Sequence, residues 1–390
     1  MRVVLTGGGT GGHIMPFEAI IESLRELYRQ KKSELPGFLD PELLQLYFFG
    51  VTTPAGNEMF HSYDIPVRHI PSGKRRRYAS ALNIVDMAVM LPLGICIALI
   101  RMWQIMPDIV VSKGGYGSIP TVLAAAFYRI PVVLHESDVV PGSANEMMMK
   151  FASAITLGFA VSKEALPQWA YKLFVTGTPV RTTIMTGKKA ASKGIFQIPE
   201  GEITLLVMGG SQGAQQINET LLAILPDIID KVAILHITGE AHHDAVSKVA
   251  QEVLASSPRK NLYKPFAYMG KQMESALMAA DISVSRSGAS ALAEISRLRI
   301  PSVLIPLDSA ANDHQRKNAL AFEAAGGALV LDPSNVNPHL LQQSIERLAT
   351  DQELRDTLSK NLGALDFPNA AHDIADLTLQ LASGFRPKKK

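Results

Sequence analysis

A chain of 390 residues, 47% hydrophobic and 19% charged, has apolar material for more than one packed core and none of the bias of a fibrous or disordered polymer. Its 38 basic and 36 acidic side chains leave a formal charge of +2, which excludes the broad basic footprint of a nucleic-acid-binding protein. The single cysteine excludes an intrachain disulfide and argues against a zinc site, as in a reducing compartment.

In chain order, residues 2–6 read as a short buried strand entering the glycine loop Gly8-Gly9-Thr10-Gly11-Gly12, with helical sequence from 16 to 28. This start lacks the basic region, long apolar core and cleavage site of a signal peptide, so a cytoplasmic chain is expected. Next, Lys74-Arg75-Arg76-Arg77 precedes an apolar run over 79–100 that closes on Arg101-Met102-Trp103. Asn83 and Asp86 interrupt the run, and Pro92 and Gly94 weaken its centre. The cleaner part, 87–100, falls short of the roughly 20 residues that span a bilayer. Two readings stay open: a buried helix, or a peripheral patch whose apolar side chains enter the membrane interface while the basic cluster meets anionic lipid.

A strand over 108–113 then runs into Gly114-Gly115-Tyr116-Gly117-Ser118, and another over 130–134 into His135-Glu136-Ser137-Asp138. A boundary is expected near 176–179, followed by a polar linker over 187–194. After it the pattern recurs. The strand 203–208 enters Gly209-Gly210-Ser211-Gln212-Gly213, residues 281–286 parallel 108–113 and lead to Ser287-Gly288, and Ile300-Pro301 parallels Ile130-Pro131. Three matches in the same order define an internal repeat. The interval from Gly8 to Asp108 is longer than that from Gly209 to Asp281, so the first copy carries an insertion that includes the basic-apolar segment.

Short apolar strands alternating with helices predict an α/β fold of two Rossmann-like domains, parallel sheets facing across a cleft. The expected domains are 1–178 and 179–367, with a last helix over about 368–384 that could pack back on the first. Ligands of such sheets sit beyond the carboxyl ends of the strands, where the special residues of both copies fall. The glycine loops suit phosphate groups. Neither has the lysine of an ATPase loop, and no acidic residue follows at the spacing of a dinucleotide site, so both of those readings are disfavoured.

Taken together, GGTGGH at 8–13, GGYGS at 114–118, HES at 135–137, GTPVR at 177–181, GGSQGA at 209–214, SRSGA at 285–289 with Glu294, and Asp313-His314-Gln315 with Asn318 resemble the MurG family. The resemblance covers roughly 1–365. It implies the GT-B fold and inverting transfer of N-acetylglucosamine from UDP-GlcNAc to the 4-hydroxyl of a lipid-linked N-acetylmuramyl-pentapeptide, the step from lipid I to lipid II in peptidoglycan synthesis. It implies no cofactor, and the absence of an Asp-x-Asp motif agrees with no required catalytic metal. The enzyme would work peripherally on the inner face of the membrane.

The resemblance also assigns residues. In the C-terminal half, Glu294 would hold the ribose hydroxyls, and the backbone of Ala289, Ser290, Ala291, Leu292 and Ala293 would surround the nucleotide. Ser211 and Arg181 would meet the diphosphate, Ala267 the uracil, and His314 with Gln315 the sugar. Thr10, Gly11 and Gly12 would approach the donor from the other half, as would Asp138, where the family usually has Asn. Gly8, Gly9, Gly114, Gly115, Tyr116 and Ser118 would receive the acceptor diphosphate, although Gly117 and Ile119 depart from the usual loop.

Blander roles compete with several of these. Glu294 could be a surface helix residue, Arg181 a surface salt bridge, and Ser211 a helix cap. Arg286 could be structural or functional. His13 is the candidate general base, its neutral form favoured by the start of a helix, or else it holds the acceptor diphosphate or orders the loop. Rival functions are a related GT-B transferase with another lipid acceptor, a UDP-sugar epimerase, and a non-catalytic nucleotide-sugar sensor.

Overall fold

The computed structural model describes residues 1–8, 11–30, 44–73, 86–181, 184, 188–209, 214–270, 272–307 and 313–387. The expected roles of Gly9, Thr10, Ser211 and the basic run at 74–77 therefore lie outside the described residues.

The chain divides into two compact units, Met1–Pro179 with Asn369–Lys390, and Val180–Pro368. The first is built on a seven-stranded parallel sheet in the order β3-β2-β1-β4-β5-β6-β7. Its strands are β1 (Arg2–Gly8), β2 (Gln45–Val51), β3 (Val67–His69), β4 (Ile109–Ser112), β5 (Val132–Glu136), β6 (Ala154–Leu157) and β7 (Leu173–Val175). The second has six parallel strands in the order β10-β9-β8-β11-β12-β13. These are β8 (Thr204–Met208), β9 (Ala233–Ile237), β10 (Tyr263–Phe266), β11 (Ile282–Ser285), β12 (Ser302–Leu304) and β13 (Ala328–Val330). The central strands are buried along their whole length, as sheets covered on both faces require. In each sheet the order reverses beside the first strand, between β1 and β4 and between β8 and β11, which is where such folds bind ligands.

The sequence repeat has a physical cause at two of its three anchors. Asp108 accepts a hydrogen bond from the Arg2 amide at 2.7 Å, and Asp281 accepts the equivalent one from Thr204 at 2.8 Å. Each carboxylate thus fixes the register of a central strand against the next. Ile130-Pro131 and Ile300-Pro301 both follow a residue with positive φ, Arg129 and Arg299, which reverses the chain out of a helix. The carbonyls of Pro131 and Pro301 then accept from Val110 and Ser283, each at 2.9 Å, to begin the next pairing.

Two expectations change. The stretch 187–194 is not a linker: Lys189–Ile195 is a helix of the second unit. Lys189 and Lys193 both pair with Asp281, at 2.5 and 2.7 Å, and Lys193 also donates to the Glu202 carbonyl. Its lysines read as solvated polarity but are tied to a partly buried carboxylate. The apolar segment is likewise a longer helix than Pro92 and Gly94 suggest. Leu91–Ile105 continues from a wider turn over Asp86–Met90. Pro92 lies in the first turn, where no amide needs a partner, and Gly94 lies where a Cβ would meet the Pro71 carbonyl.

That helix is not buried. Gly94, Ala98 and Met102 face inward, toward the core beneath the Ile119–Phe127 helix. Val89, Leu93, Ile100, Trp103 and Met106 are exposed, Trp103 by 66%. The 18 residues Ala88–Ile105 are long and apolar enough to cross a membrane by length and composition, with 17% of them buried in the fold. On the other face of the sheet, the Ala370–Ala382 helix packs against Phe17–Gln30 and completes the core of the first unit.

Candidate active site

In the first unit the polar residues gather at the carboxyl ends of β1, β4 and β5. His13 lies in a four-residue helical turn, Gly11–Ile14, directly after β1. It is half-buried, and its Nδ1 lies 3.1 Å from the Lys113 carbonyl oxygen at the end of β4. A carbonyl only accepts, so Nδ1 carries the proton and the neutral ring keeps its lone pair on Nε2. A Cβ added to Gly115 would stand 3.5 Å from Nε2, so the lone pair is at the glycine loop. Burial first, then the Lys113 ammonium, hold the imidazole below its ordinary pKa, while Asp138 opposes them. The neutral form expected from a helix start therefore has another origin, since His13 sits in the last turn of a very short helix.

The glycine loop depends on close approach. Gly114 and Gly115 have φ near +80°, and a Cβ on Gly114 would collide with the Asn145 amide. Gly8 and Gly117 lie backbone to backbone, so that a Cβ on either would come within 2.6 Å of the other. Gly117, which departs from the family's usual loop, thus lets β1 and this loop touch. Ser118 is buried, and its hydroxyl donates to the Gly114 carbonyl at 2.7 Å, bracing the loop from beneath. Tyr116 is half-buried and begins the turn Tyr116–Ser118.

Sequence reasoning gave no role to three residues that hold this arrangement. Asn145 accepts from the Gly115 amide at 3.1 Å and donates to Glu136 at 2.8 Å. Glu136 also receives the Asp138 amide at 2.9 Å, and burial pushes its carboxyl up while these donors pull it down. Lys113 is fully buried, and its Nζ donates to Ser137 Oγ at 2.7 Å. Its position in the repeat, opposite Arg286, was the available signal. Arg286 itself is buried and donates to the carbonyls of Ile305 and Pro306, bracing the chain after β12.

In the second unit the motif residues converge on the Ala289–Leu298 helix, which begins after Gly288 beyond β11. Ser287 Oγ donates to the Gln315 carbonyl at 2.7 Å, and Asn318 donates to the Ser287 carbonyl at 3.1 Å. Gln315 Oε1 accepts from the Leu307 amide at 3.0 Å. These bonds bind the start of the His314–Ala324 helix to the β11 turn and to the chain after β12. The amides of Ala289, Ser290 and Ala291 open the helix, an arrangement suited to an anion, while Leu292 packs inward. Ala267 follows β10, at the carboxyl end of its strand as Ser287 is of β11.

Glu294, on the second turn of that helix, pairs with Arg181 at 2.9 Å, and Arg181 Nη1 lies 3.8 Å from Glu274. Burial raises the Glu294 carboxyl and Arg181 opposes the rise. Neither is a surface residue, since each side chain is 15% exposed. The diphosphate-facing cation and the ribose-facing carboxylate of the resemblance thus neutralise each other. Among the described residues no group of three His, Cys, Asp or Glu side chains could hold a metal ion.

Comparison with known proteins identifies the family. The Glycosyltransferase family 28 N-terminal domain matches residues 42–157, and the family 28 C-terminal domain matches 204–375. A UDP-N-acetylglucosamine--N-acetylmuramyl-(pentapeptide) pyrophosphoryl-undecaprenol N-acetylglucosamine transferase of Lachnospira eligens is 34% identical over 90% of this chain and 92% of its own. One from Bacillus thuringiensis, numbered 3, is 32% identical over 96% and 99%. Among solved structures, Acinetobacter baumannii MurG shares the fold with a TM-score of 0.70 at 23% identity, covering 97% of this chain and 99% of that one. A putative UDP-N-acetylglucosamine 2-epimerase from Listeria monocytogenes shares it at 0.69 and 15%, covering 100% and 99%. With two parallel-sheet units of the GT-B class and relatives of this identity along nearly its whole length, the chain belongs to the MurG family of glycosyltransferases.

Proposed function

We propose that this chain transfers N-acetylglucosamine from UDP-GlcNAc to the 4-hydroxyl of a polyprenyl-diphosphate-linked N-acetylmuramyl-pentapeptide, with inversion at the anomeric carbon. The observation that carries the chemistry is the tautomer of His13: Nδ1–H is donated to Lys113, leaving Nε2 free to accept a proton beside Gly115. As the 4-hydroxyl oxygen bonds to the anomeric carbon, the bond to UDP breaks, the hydroxyl proton passes to Nε2, and UDP leaves with the electron pair. Arg181 offsets the charge of the leaving diphosphate, and Ser211 joins it. Glu294 accepts from the ribose hydroxyls, Ala267 meets uracil, and His314 with Gln315 reads the sugar. Thr10, Gly11, Gly12 and Asp138 complete the donor contacts. Gly8, Gly9, Gly114, Gly115 and Tyr116 receive the acceptor diphosphate, on a loop that Ser118 shapes.

The exposed face of the Leu91–Ile105 helix is the membrane contact in this reading. Its inner face is committed to the sheet's core, so it lies along the interface rather than crossing it. Lys74, Arg75, Arg76 and Arg77 precede it in sequence and would add roughly 1 kcal/mol each on anionic lipid. Incubation with labelled UDP-GlcNAc and a short-chain lipid I analogue tests the assignment. Label should enter the lipid only when both are present; no incorporation, or equal incorporation into an unrelated glycolipid acceptor, would count against it.

A further inference from the structure

The buried Lys113 is unaccounted for by the transfer chemistry, and burying its ammonium is costly even with a hydrogen-bond partner. It sits in a bonded chain. The His13 ring donates to its carbonyl at 3.1 Å, and its own Nζ donates to Ser137 Oγ at 2.7 Å. Ser137 immediately precedes Asp138, whose amide is held by Glu136. One residue therefore touches the imidazole through its backbone and the β5 loop through its side chain.

Building on the assignment of His13 as base, we propose that Lys113 is the positioning residue for His13. Its carbonyl fixes the tautomer, and its ammonium, anchored on Ser137, opposes a positive charge on the ring.

The groups around the imidazole define the balance. Lys113, at the end of β4, disfavours the imidazolium, and Asp138, beyond β5, favours it. His135 on β5 is buried, accepts or donates at Thr156 Oγ1 over 2.9 Å, and is held neutral by burial and by Lys113, so it adds no charge of its own. Glu136 and Asp138 act on Lys113 in turn, supporting its charge against burial. Burial brings the Lys113 ammonium down to about 7, so it is still charged over the range in which His13 gains its proton. Without Lys113, burial alone would oppose Asp138, and the imidazole would gain its proton at a higher pH.

The test is a titration of His13 by NMR in the full-length protein with labelled histidine, the signal assigned by its loss in His13→Gln. Lys113→Met should move the His13 midpoint upward by about one pH unit. The acid limb of kcat/KM should move by the same amount, and Lys113→Arg should return both toward the parent. An unmoved midpoint with a lowered plateau would mean a merely structural lysine and overturn the proposal. If Lys113→Met does not fold, Ser137→Ala removes the anchor while keeping the lysine. It should give a smaller upward shift, and no shift would again overturn the proposal. An acid limb that persists in His13→Gln would defeat the base assignment instead, while the NMR midpoint still decides the role of Lys113.

Discussion

Arg181 and Glu294 form a 2.9 Å ion pair in which neither side chain is more than 15% exposed. A charge-assisted bond at this depth contributes about 1.5–3 kcal/mol, and removing one partner strands the other. Under the proposed function the pair must loosen as the nucleotide binds, because each member has a ligand group to meet. Glu294→Ala should therefore weaken UDP binding by roughly 10- to 100-fold by calorimetry. Arg181→Met should instead lower kcat, by leaving the departing diphosphate unopposed. A Glu294→Ala protein with unchanged UDP affinity would remove the ribose contact from the account.

His13→Ala should reduce turnover by about 10² to 10⁴-fold, the usual range for a general base, while UDP affinity stays within about twofold. In the parent enzyme kcat/KM should fall as pH drops through the His13 midpoint, because the imidazolium cannot accept a proton. Burial and Lys113 lower that midpoint from the ordinary value, so activity should persist somewhat below pH 6.5. A pH profile of kcat/KM in both proteins checks this.

Lys113 also makes a stability prediction whose sign can be worked out. Its folded pKa, about 7, lies below the value of about 10.4 in an unfolded chain. Between those values the unfolded chain binds the proton and the native one does not, so this group makes stability rise with pH over that interval. Lys113→Met removes the burden and should raise the melting temperature most at pH 7 and below. The gain should shrink toward pH 10; a pH-independent difference would contradict the buried, titrating ammonium.

The membrane face can be read through Cys96, the chain's single cysteine, which is exposed on the same helix. An environment-sensitive dye there should shift to the blue with anionic vesicles and less so at high salt. Trp103→Glu together with Ile100→Glu should abolish the shift, since both side chains stand outward. Charge reversal at Arg75, Arg76 and Arg77 should remove its salt dependence.

Much of the scaffold was legible because its anchors are backbone requirements written into residue type. Asp108 and Asp281 hold equivalent amides, and the Ile-Pro pairs start equivalent strands. The motif residues around Glu294 were legible too, and the structure joins Ser287, Gln315 and Asn318 by hydrogen bonds. What sequence could not reveal was polarity turned inward. Lys189 and Lys193 looked solvated because their partner, Asp281, is distant in the chain. Lys113 lies in an apolar strand end, and Asn145 in an unremarkable helical turn, so neither has a periodic signature. The exposed face of Leu91–Ile105 was ambiguous for the opposite reason. An apolar helix reads the same whether the protein or a membrane covers it.

The most direct measurement follows UDP-GlcNAc by NMR with and without a lipid I analogue. A β-linked disaccharide should appear on the lipid with one UDP released per sugar transferred, and the donor should stay unchanged when the acceptor is omitted. Formation of a C2-epimeric UDP-sugar without acceptor, as the fold's epimerase relatives would give, or binding without any turnover, would contradict it.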